Sequence, residues 1–137
     1  MDYEEYRKAF FSDPVPRERF ATHGVIGATL YYEDYQAALS FITKVFGEPI
    51  YKEGANTHGW RLGSSWLTLF PAKSGNPTNV EVPIYLKSAE ELDKLYSAFI
   101  AAGVTGEEPQ NTLMFEPVRV AILADPFGVT WDLVAQL

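Results

Sequence analysis

Cysteine is absent from the 137 residues. That removes disulfide frameworks, thiolate-ligated zinc or iron–sulfur centres and thiol nucleophiles together, and it agrees with a cytoplasmic setting. Positive charge is scarce, with 11 Lys and Arg against 18 Asp and Glu, a net charge of −7. No stretch gathers Lys or Arg densely enough to hold a phosphate backbone or an anionic bilayer, so neither nucleic acid nor membrane is an expected partner. No apolar run approaches membrane-spanning length, and the opening Met1–Lys8 is acidic and broken by charge rather than signal-like. A cytoplasmic location is the expectation. What the chain does have is apolar side chains: 47% hydrophobic and 15% aromatic residues against 21% charged supply one real core, in a chain too short for two independent ones.

Residues 1–20 stand apart from the rest. Tyr3, Tyr6 and Phe10 recur at helical spacing before Pro14 and Pro16 stop the pattern, giving a short helix and a stiff linker ahead of a domain over 21–137. That helix can pack on its own domain, on a partner, or over a pocket. Val25–Tyr32 reads as a strand ending at the N-cap Asp34, after which Ala37, Ala38, Phe41, Ile42, Val45 and Phe46 form one helical face closed by Gly47. Short strands are expected at Glu48–Lys52, His58–Leu62 and Trp66–Phe70, followed by a loop over Pro71–Thr78.

The order then repeats. Val80–Leu86 is a strand, Ser88 with Glu91 is a capping box, and Leu92, Leu95, Tyr96, Phe99 and Ile100 make a helical stripe stopped by Gly103. Thr105–Glu108, Val118–Leu123 and Val129–Val134 complete the second half. Asp34 and Ser88 are 54 residues apart, and the same shift carries Gly27 onto Glu81. The chain is therefore a tandem βαβββ repeat, with modules over about 23–71 and 79–136. An α+β fold follows, with mixed, curled sheets around a central cleft.

Asp34 to Gly47 and the closing Arg119 to Leu133, with Asp125-Pro126-Phe127-Gly128, resemble the opening helix and final hairpin of the vicinal oxygen chelate superfamily. That superfamily holds glyoxalases, bleomycin- and fosfomycin-resistance proteins and extradiol dioxygenases, and the Phe-Gly-Val and Trp of the hairpin look like its phosphonate-operon-associated branch. The hairpin itself is read as a turn without chemistry, since Pro fixes one dihedral and Gly accepts a positive φ.

The resemblance implies four inward positions for a metal, which fall here on Gly27, Thr68, Glu81 and Asp132. Glycine offers no donor and a threonine hydroxyl is a poor one, so the quartet is broken and a divalent ion should bind weakly at most; no cofactor is expected. His23 lies about 13 Å of extended chain from Gly27, too far to replace it. Glu81 and Asp132 remain as a candidate acid–base pair for abstracting a proton beside a carbonyl, the plainer alternatives being solvated carboxylates or an ion pair with Arg61 or Arg119. Tyr31, His58, Trp60, Trp66, Thr68 and Thr130 are the candidate ligand contacts.

The expected function is binding of a small organic molecule, hydrophobic or planar, with a degenerate metal site, in a chain that forms a homodimer. A metal-dependent lyase, isomerase or dioxygenase of the same lineage is the alternative, and a ferredoxin-like association module the other.

Overall fold

The two long helices start and stop for local reasons that mirror one another. A computed structural model describes Met1 to Leu137 throughout. Asp34 accepts the Ala37 N–H at 3.4 Å to open α2 (Tyr35–Phe46), and the Ser88 hydroxyl accepts the Glu91 N–H at 3.1 Å to open α3 (Ala89–Ala101). The reciprocal half of the capping box at Ser88 is not made, because the Glu91 side chain pairs with Lys94 at 3.2 Å instead. Gly47, with φ of +88°, ends α2. A short helix α1 (Tyr3–Phe10) precedes both.

Each module pairs its first strand in parallel with its last. In the first, β1 (Ala28–Tyr32) runs beside β4 (Ser65–Pro71), then β3 (His58–Leu62) and β2 (Tyr51–Lys52), in the order β1-β4-β3-β2. In the second, β5 (Val80–Leu86) runs beside β9 (Val129–Gln136), then β8 (Pro117–Ala124) and β6 (Thr105–Gly106). Strand β7 (Gln110–Leu113) also pairs with β8, so the second module has one strand more than the repeat predicts. Three expected strands are shorter than read: the first begins at Ala28 rather than Val25, β2 keeps only Tyr51 and Lys52, and β6 stops at Gly106 rather than Glu108.

The register makes the repeat structural. Thr29 faces Thr68 in the first module, and Pro83, 54 residues further on, faces Asp132 in the second. Thr68 and Asp132 are thus equivalent positions, as are Gly27 and Glu81. Alternation sends Leu30, Tyr32, Leu67, Leu69, Val82, Ile84, Trp131 and Leu133 to the helix side, where they join Phe41, Ile42, Leu92 and Phe99 in one continuous core drawn from both modules. Phe46 packs on Phe99 at 5.8 Å and on Trp131 at 5.9 Å between ring centroids, so α2 of the first module contributes to the core of the second.

Helix α1 stays outside that core. None of its residues is buried, and its tie to the domain is one hydrogen bond from the Tyr3 hydroxyl to the Phe115 carbonyl at 2.7 Å. No helix is long and apolar enough to cross a membrane.

Candidate functional site

Opposite the helices, the outward residues of each sheet form a second face. On the first sheet these are Thr29, Tyr31, Arg61, Trp66, Thr68 and Phe70, fixed by the pairs Thr29 with Thr68, Tyr31 with Phe70 and Arg61 with Trp66. Tyr31 stacks on Phe70 with centroids 5.4 Å apart. The Trp66 ring lies over Gly59, where a Cβ would meet it at 3.3 Å, and carries the Arg61 guanidinium 4.9 Å from its centroid. On the second sheet Glu81, Pro83 and Tyr85 of β5 alternate outward beside Thr130, Asp132 and Val134 of β9.

His58 and Trp60, expected among the ligand contacts, face the other way. Their strand pairs them with Leu69 and Leu67, both core residues, so they share the helix-covered side. Trp60 is 2% exposed and donates its indole N–H to the Gly47 carbonyl at 2.7 Å, closing the end of α2. His58 Nδ1 lies 2.5 Å from the Tyr35 hydroxyl, which also reaches the Leu69 carbonyl at 3.1 Å. All three groups are satisfied if His58 donates from Nδ1 and Tyr35 donates onward to Leu69. Burial, and then the charge of Lys52, hold the His58 imidazole below its ordinary range.

Glu81 and Asp132 do come together. They are diagonal neighbours across the β5–β9 ladder on one face, and neither has an arginine partner: Arg61 sits over Trp66, while Arg119 pairs with Asp93 at 2.9 Å and Asn111 at 3.1 Å. Asp132 Oδ1 is shielded from solvent and no N–H or hydroxyl group reaches it, so the carboxyl's hydrogen bond is with Glu81. Burial first, then the hydrogen bond and the charge of Glu81, push the Asp132 carboxyl up to about 6. One carboxyl that gives up its proton near neutrality beside another is an arrangement suited to proton transfer.

This shift has a stability consequence. The unfolded chain releases the Asp132 proton near pH 3.9, whereas the folded chain keeps it to about 6. Stabilisation from the protonated form is therefore complete below the unfolded value and is lost as pH rises through 6. Allowing for solvent screening of a partly exposed group, Asp132→Asn should match the wild type at pH 4 and exceed it by about 1 kcal/mol at pH 7.5. Urea denaturation at the two pH values checks this, and a variant that tracks the wild type at both would contradict it.

Between the modules runs a groove of about 1170 Å³. Its walls are the chain leading into β1 (Gly24–Ala28), the β3–β4 turn with Trp66, every residue of β5 from Glu81 onward with the following Lys87, and apolar side chains of α2 and α3 including Phe46 and Leu95. A smaller polar recess of about 480 Å³, lined by Asn79, Val80, Glu81, Gly128 and Thr130, adjoins it at Glu81. Gly27, Trp66 and Glu81 thus share one cavity and Thr130 meets it through the recess. Thr68, Asp132 and Tyr31 occupy the outward faces without bordering the groove. Tyr85 and Lys87 do border it and were not singled out from the sequence, although Tyr85 has the same strand parity as Glu81.

A metal does not fit these residues. The four superfamily positions present two carboxylates in contact, a threonine and a glycine, and no cluster of three His, Cys, Asp or Glu side chains exists anywhere in the fold. His58, the one histidine on a nearby strand, is turned into the core.

Two mixed sheets built from repeated βα units, with a groove between the modules, define the fold class. Residues 24–133 match the profile of the Glyoxalase/Bleomycin resistance protein/Dioxygenase superfamily, and the chain belongs to it. Among solved structures it is similar to lactoylglutathione lyase from Agrobacterium tumefaciens, at 21% identity over 85% of this chain and 96% of that one, with a TM-score of 0.64. A glyoxalase/bleomycin resistance protein/dioxygenase from Nocardioides is similar at 17% identity over 98% and 92%, also with a TM-score of 0.64. A family enzyme from Burkholderia phytofirmans aligns at 19% identity over 81% and 97%, with a TM-score of 0.63. At such identities the likeness is one of fold. Among curated proteins, none matches.

Proposed function

We propose that the chain binds a small organic molecule in the groove between β1 and β5, and that it does so without a metal. The supporting observation is the cavity of about 1170 Å³ that brings Trp66, Tyr85 and the Glu81 carboxylate to one lining, with Phe46 and Leu95 beneath. Size, apolar walls and a few polar groups are what a ligand pocket of drug-like dimensions requires. Trp66 offers an aromatic surface and Glu81 a charged contact. The Phe127–Val129 turn and Trp131 favour the phosphonate-operon-associated branch within the superfamily.

Trp66 is the tryptophan at the groove, since Trp60 and Trp131 are 2% and 0% exposed. Screening a set of drug-sized aromatic compounds should therefore yield ligands that quench a signal lost in Trp66→Phe. Nickel, zinc, manganese or iron(II) in moderate excess should barely move the melting temperature, whereas an ion at about 100 times its dissociation constant would add about 2.7 kcal/mol. A stoichiometric metal retained through purification and lost in Glu81→Gln would replace this reading with the metal-dependent enzyme.

A further inference from the structure

The groove does more than border β5; it follows the strand's unpaired edge. Residues of both parities, Glu81 through Lys87, line it, and β5 is hydrogen-bonded only on its other side, to β9. The facing wall, Gly24–Ala28, leads into β1, whose sole partner is β4. The free edge of β5 thus flanks the cavity along its length, opposite the lead-in to β1, and the stretch from Glu81 to Lys87 spans about 20 Å of extended chain. Apolar side chains of the helices line the cavity on one side of the strand plane, Phe46 and Leu95 among them, and Trp66 and Tyr85 on the other.

Charge along this slot is dipolar. Lys94 is paired with Glu91 at 3.2 Å, which leaves Glu81 without a cation at one end of β5 and Lys87 without an anion at the other.

We propose that the ligand is a short peptide with free termini, lying extended along the β5 edge with its ammonium group at Glu81 and its carboxylate at Lys87. This rests on the reading of the groove as a small-molecule site. Strand addition supplies main-chain hydrogen bonds while alternate side chains enter the two walls, and the parallel direction repeats that of β9. Pro83 has no N–H, so one rung is missing at the centre and affinity leans on the end charges and the side chains.

The test uses the full chain and one extended hexapeptide containing Phe and Tyr, in four forms: free, N-acetylated, C-amidated and doubly capped. Calorimetry should show each single cap weakening binding by roughly fivefold. Glu81→Gln should erase the difference made by acetylation alone, and Lys87→Gln the difference made by amidation alone. Both residues are exposed, so the variants should fold, which their melting temperatures verify. Equal affinity for all four forms, or peptides that fail where aromatic compounds quench Trp66, would overturn the peptide assignment and leave the groove reading intact. Failure of both peptides and aromatic compounds would remove the groove reading as well.

Discussion

Replacing Asp125 with alanine is expected to lower stability by about 3–5 kcal/mol, the cost of stranding three donors in a closed site. Asp125 is 8% exposed. Its Oδ1 accepts the Phe127 N–H at 2.8 Å and the Val129 N–H at 3.0 Å, and its Oδ2 accepts the Trp131 indole N–H at 2.8 Å. It also helps, after burial, to push the neighbouring Tyr32 hydroxyl above its ordinary range, which keeps that phenol protonated in the core. Asp125→Asn is the sharper experiment. An asparagine retains one oxygen for the two backbone donors but turns an NH2 toward the indole N–H, donor against donor, for a loss of about 2 kcal/mol. Urea unfolding followed by Trp fluorescence separates the cases, and an asparagine variant as stable as the wild type would remove Asp125 from its role as a hub.

Gly128→Ala should cost about 2–4 kcal/mol, for two reasons that add. The residue has φ of +96°, a region that resists a side chain, and a Cβ there would fall 2.2 Å from the Pro77 carbonyl oxygen. Either the final hairpin or the connector between the modules must then shift. Gly75→Ala supplies the control: its φ is +74° but the space around it is open, so only the conformational part, about 1 kcal/mol, remains. Equal losses at the two glycines would mean that the contact with Pro77 has no weight.

These two positions also show what could be read in advance. Asp125-Pro126-Phe127-Gly128 was legible as a turn because Pro and Gly announce their dihedrals. That its aspartate would hold an indole and that its glycine would press on another segment depended on tertiary neighbours. Strands β3 and β5 fell where side-chain periodicity put them, and the N-caps of α2 and α3 fell on Asp34 and Ser88, where their capping side chains put them. Strand β7 escaped because Gln110, Asn111 and Thr112 are exposed on an outer strand and carry no alternation. For His58 and Trp60 the strand was right and its face was not, since His58-Gly59-Trp60-Arg61-Leu62 allows either parity until pairing with Leu67 and Leu69 decides it. That Glu81 and Asp132 share one side of their sheet was implied by the resemblance, since strand parity leaves the faces of two different strands unrelated until the β5–β9 register relates them. The groove along β5 was invisible in the sequence, because its shape depends on how the two modules sit together.

The equivalence of Gly27 with Glu81, both of which line the groove, carries a geometric implication for whatever occupies it. Two identical halves would offer any unsymmetrical guest two poses of equal energy, related by the internal twofold relation. Here one half contributes the uncharged Gly27 beside Trp66, and the other contributes the Glu81 carboxylate. The degeneracy is lifted, and a guest with distinct ends is held in one direction only.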